Sequence, residues 1–141
     1  FNPFADENSS LVGAFTFEDV GVTAYHGAAP LIQDKTYLGA AAGIMATEAY
    51  HAAEIRTLLA TIGGSFLAYA NQISALRAAA GGGNELSLFG GTIVPSDSNS
   101  IAFNRTTDQV LHIVYLNPTG VVKSGGFFPS GLNGKITATA S

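Results

Sequence analysis

Residues 35–62, KTYLGAAAGIMATEAYHAAEIRTLLATI, run without a proline between Asp34 and the pair Gly63-Gly64. Asp34 is a residue type that caps helix starts, and glycine at the far end stops a helix. The segment therefore predicts one helix roughly 40 Å long. It is rich in Ala and Gly, and such a helix needs other helices beside it to bury its apolar side. A second long helix precedes it. Asp6, Asn8 and Ser9 offer N-caps, LVGAFTFEDVGVTAYHGAA continues the pattern, and Pro30 stops it. A third, SFLAYANQISALRAAA, follows at once and ends at Gly81-Gly82-Gly83. Those glycines precede no phosphate-loop helix, so they do not read as a nucleotide site. Residues 1–80 are thus expected to be the helical part.

Beyond residue 81 the composition changes to Gly, Ser, Asn and Pro with scattered apolar residues, which predicts irregular structure. One short helix is expected at 106–116, where Thr106 and Gln109 stand at capping-box spacing and Asn117-Pro118 ends it. Residues 81–141 are expected to be an extension packed on the bundle. Phe103, Tyr115, Phe127 and Phe128 in it would cover the helices or offer an interaction surface.

Charge excludes several classes. Only 11% of the chain is charged and the net charge is −4, against about 25% charged in an average domain. The few Lys and Arg do not cluster along the sequence, so a nucleic-acid partner is not expected. No segment reaches the roughly 18 uninterrupted apolar residues of a membrane span, so the chain is not expected to be transmembrane. Cysteine is absent, which removes disulfide and thiol chemistry. Asn8 and Asn104 begin glycosylation sequons. Phe1 reads as the start of a processed or truncated product.

The chemistry lies on the helix faces. Taking Glu48 as zero and about 100° per residue, Ala41, Ile44, Ile55 and Leu59 fall within about 40° of it, and His51 near −60°. Glu48 and His51 therefore sit on the apolar stripe expected to face the core, with Glu54 at its solvated edge. On the preceding helix, Glu18 shares a face with Leu11, Ala14, Val22 and Tyr25, while Asp19 is expected outside. Buried carboxylates need partners. A Glu on one helix and Glu-x-x-His on its neighbour is half of a dimetal carboxylate site, so Glu18, Glu48 and His51 are candidate metal ligands. Alternatively, Glu48 and His51 hydrogen-bond each other or line a polar pocket. Tyr25 and Tyr50 read as packing residues, His26 as a helix-edge residue and His112 as a structural histidine. No catalytic residue is assigned.

Four blocks, FTFEDVGVTAYHGAAPLI, YLGAAAGIMATEAYHAAEIRTLL, IVPSDSNSIAFNRTTDQVLHIVYLN and GGFFPSGLNG, follow one another over nearly the whole chain. In kind and order they resemble the desiccation-related proteins, a ferritin-like family. The resemblance implies a mainly α fold: the last two helices of a ferritin-like bundle, a further helix, and a long irregular C-terminal tail. It implies iron or manganese at Glu18, Glu48 and His51, and secretion to the extracellular space or cell wall. Family members also carry an N-terminal pair of helices with a Glu and another Glu-x-x-His. The expected partner is therefore a helical pair, from the protein's own N-terminal fragment or a second copy, with an extracellular polymer as a further candidate. Two roles remain open: a structural or assembly stress protein, and a di-iron or di-manganese redox protein that removes peroxide or acts as an oxidase.

Overall fold

The computed structural model describes residues 2–140, so Phe1, read above as a processing point, lies outside the described residues. Among those residues there are four helices and no strand. They are α1 (Glu7–Ala28), α2 (Lys35–Ile62), α3 (Gly64–Ala80) and α4 (Thr107–Val114), with 3-10 turns at Ala29–Leu31 and Leu88–Gly90.

The helix ends follow local chemistry. Asp6 accepts from the Ser9 N–H at 2.7 Å and caps α1. Asp34 accepts from the Thr36 and Tyr37 N–H groups at the start of α2. Gly63, at φ 68°, ends α2 and turns the chain straight into α3, a backbone state that a side chain would strain. Thr106 and Gln109 form both halves of a capping box on α4, and Tyr115 is its C-cap. The short helix thus spans eight residues rather than the eleven expected, because the chain turns at Tyr115 and Leu116, the latter at φ 52°.

α1 packs chiefly on α2, and α3 closes against both. Val12 and Phe15 of α1, Ile55 and Leu59 of α2, Ala70 of α3 and Leu88 form the core. The tail lies over this assembly: Phe127 meets Phe17 of α1 edge to face at 4.7 Å, and the buried Tyr115 donates its hydroxyl to the Thr137 carbonyl. No helix among the described residues is long and apolar enough to cross a membrane.

Four expectations are overturned. Asp19, expected outside, is buried. The arginines scattered in sequence converge: Arg56, Arg77 and Arg105 are all fully buried around Asp19 and Glu85. Finally, the stripe carrying Glu48 does not face the core along its whole width. Ala41, Ile55 and Leu59 are buried, but Tyr37, Ile44, Leu58 and Ile62 are exposed. α1 covers only one edge of that stripe. Tyr50 is likewise exposed rather than packed.

Candidate metal centre

Glu18 projects from the middle of α1 toward Glu48 and His51 on α2. The three line one open depression, rimmed by Ala40, Gly43, Ile44 and Thr47 of α2. His51 Nδ1 lies 3.5 Å from Glu18 Oε2, at the outer limit of a hydrogen bond. The His51 side chain is 58% exposed and that of Glu18 25%.

Glu18 Oε2 and Glu48 Oε2 are buried and accept no hydrogen bond. Such orphans are expensive beside one another. Burial pushes the Glu48 carboxyl above its ordinary value, the charge of Glu18 pushes it further, and His51 offsets part of this. Glu48 reaches this position because Gly21 of α1 lacks a side chain: a Cβ there would collide with the Glu48 carboxylate.

These features suit a cation. The oxygens without hydrogen bonds and the glycine cradle leave carboxylates on one depression, and a set of carboxylates with an imidazole suits a first-row metal such as iron. The residues are also too few. Among the described residues no group of three or more His, Cys, Asp and Glu gathers closely enough to hold a metal ion by itself. Glu18, Glu48 and His51 therefore fit as part of a ligand set.

The remaining histidines have other tasks. His26 Nδ1 lies 3.2 Å from the Phe103 carbonyl oxygen and ties α1 to the extension. His112 is buried with Nδ1 2.6 Å from the Asn117 carbonyl oxygen, a structural role. Glu54 is exposed, as expected.

The element that sequence reasoning missed is the charged cluster beside this site. Arg56 Nε lies 3.1 and 3.2 Å from the two Asp19 oxygens, and its Nη2 2.9 Å from Asp19 Oδ2. Arg77 Nη2 donates to the same oxygen at 2.8 Å and to Glu85 at 2.6 Å. Arg105 donates to Glu85 at 3.0 Å and to the Thr23 hydroxyl at 2.8 Å. One signal was present: Arg56 and Arg77 each interrupt an Ala- and Leu-rich helix, where a charge needs a partner.

Comparison with known proteins agrees with this architecture. Residues 1–61 match the ferritin-like domain family, so the class is a ferritin-like helical protein. Within that class the chain is a relative of the desiccation-related proteins. It is 32% identical over 132 residues to the desiccation-related protein PCC13-62 of Craterostigma plantagineum, covering 79% of this chain and 42% of that one. It is 28% identical over 163 aligned residues to the ferritin-like catalase Nec2 of Nesocodon mauritianus, covering 96% and 50%. The chain spans about half the length of the curated relatives it matches. No solved structure matches it.

Proposed function

We propose that this chain is one half of a secreted ferritin-like stress protein with a structural, assembling role, and that Glu18, Glu48 and His51 bind iron or manganese once further helices close the α2 face. The two carboxylate oxygens buried without a hydrogen bond beneath an open helix face, Glu18 Oε2 with only His51 at 3.5 Å, carry this reading. They call for a cation and for cover at the same place. Tyr37, Ile44, Leu58 and Ile62, exposed along the same side of α2, fit a helical partner: the protein's own N-terminal portion or a second copy. Glu18 and Glu48 would hold the ion from α1 and α2, and His51 would add an imidazole. A metal so held supplies Lewis-acid and redox chemistry. Secretion to the cell exterior or wall, a glycan on the exposed Asn104 and contact of the exposed tail aromatics with an extracellular polymer belong to the same proposal.

The second reading is peroxide removal or an oxidase activity at the same three residues. It draws on the name of one relative, a ferritin-like catalase. Elemental analysis and native mass spectrometry of protein purified without chelator test both. Iron or manganese accompanied by a partner chain or further helices is the expected result. A metal-free, monodisperse monomer overturns the proposal, and metal-loaded protein that evolves oxygen from hydrogen peroxide favours the second reading.

A further inference from the structure

The buried cluster has a geometric relation to the candidate metal ligands. Asp19 follows Glu18 directly on α1, turned by about 100°, so one residue faces the open depression while the next reaches inward. On α2, Arg56 stands one and a half turns beyond His51, on the flank where Asp19 arrives. The two meet as a fork, with Arg56 Nε and Nη2 spanning both Asp19 oxygens. The fork is itself held on every side. Arg56 also donates to the Thr92 and Leu86 carbonyls, each at 3.0 Å. Arg77 shares Asp19 Oδ2 at 2.8 Å, and the ring of Phe15 lies 5.2 Å from the Arg56 guanidinium and 4.4 Å from that of Arg77.

We infer that Asp19 and Arg56 are positioning residues whose fork fixes the one register of α1 on α2 that brings Glu18 against Glu48 and His51. The inference rests on the metal reading above. A slip of one helical turn is about 5.4 Å, more than the 3.5 Å separating His51 from Glu18, and a slip of one residue turns Glu18 out of the depression. The core contacts of Val12 and Phe15 with Ile55 and Leu59 hold the two helices together without directional bonds. A planar guanidinium meeting both oxygens of a carboxylate supplies the direction.

The test pairs two substitutions in the same cluster. Arg56→Lys keeps the charge and loses the fork. Arg105→Lys makes the same change where the partner is Glu85 rather than Asp19. Both are made in the protein with whatever helical partner accompanies it. Cobalt(II) affinity is read by absorbance, and the Glu18–His51 separation by crystal structures of chelator-treated protein. Arg56→Lys is expected to weaken cobalt binding about 10–100-fold and to widen the separation, whereas Arg105→Lys lowers the melting temperature and leaves both readouts at their wild-type values. Asp19→Asn, which keeps the side-chain volume, serves in place of an Arg56→Lys protein that does not fold. Unchanged affinity and separation in the folded fork variant overturn the inference. So does an equal loss in Arg105→Lys, which marks a merely structural role. Wild-type protein that binds no cobalt sinks the metal reading instead, and the separation in the metal-free crystals still decides the clamp.

Discussion

Gly21 of α1 lies directly against the carboxylate of Glu48 on α2, close enough that a methyl group at Gly21 would overlap it. Gly21→Ala therefore displaces Glu48. The Glu48 carboxylate is the far end of a flexible side chain, so the expected result is weakened metal binding as Glu48 swings aside, with little change in stability. Urea unfolding and a metal titration on the same preparation check it. A variant with unaltered metal affinity contradicts the close approach.

Glu48 also gives the metal-free protein a pH signature. Its folded carboxyl is raised above 4.5 by burial and by Glu18. An acid raised on folding favours the protonated state, so its contribution to stability is fully present below its unfolded value. That contribution is lost as pH rises through the folded one. Glu48→Gln should remove this term: the stability difference between variant and parent grows in the variant's favour as pH climbs from 4 to 7. Melting temperatures across that range in chelator-treated protein measure it. A difference that stays flat with pH would show that Glu48 titrates normally.

Glu85 accepts from Arg56, Arg77 and Arg105 at 3.4, 2.6 and 3.0 Å. Glu85→Ala leaves two carboxylate-paired arginines with only Asp19, and Arg105 with no carboxylate. Removing one partner of a buried ionic group costs about 3–5 kcal/mol. The extension should detach first, seen as faster amide exchange in residues 84–105 than in α2. Uniform exchange in the variant and parent counts against the tie.

Leu59 is fully buried between α1, α2 and α3. Leu59→Ala should cost about 2–5 kcal/mol. Leu58→Ala, one residue away on the exposed side, should cost far less in the chain alone and more once a helical partner covers it. Denaturant unfolding of both variants, with and without the partner, checks the contrast.

The parts of this structure legible in the sequence are those that local chemistry decides. Asp6, Asp34 and the Thr106–Gln109 pair cap the helices they were expected to cap, because a cap needs only the next few backbone N–H groups. Helical spacing put Glu48 and His51 on one side of α2, and Glu18 on the side of α1 that meets it. Spacing could not say which neighbours exist. The stripe through Ile44 and His51 reads as core, yet α1 covers only its Ala41–Leu59 edge. Asp19 reads as solvated because its partners lie 37 and 58 residues away on other helices. A wheel drawn for one helix carries no information about an arginine on the next.

The contact between Arg105 and Thr23 spans 82 residues, and the Arg105 N–H also donates to the Thr23 carbonyl at 2.9 Å. Every other helix of the N-terminal part is complete in the chain before Arg105 is added. Contacts of such long sequence separation are the slow ones to form. During synthesis α1, α2 and α3 can therefore come together first, with Asp19 already paired. Residue 105 then threads back against α1 and adds its own bonds at Thr23. Timing, as well as stability, is written into that arginine: a chain stopped short of it would hold its helices through Asp19 but lack the late stitch that binds the extension to α1.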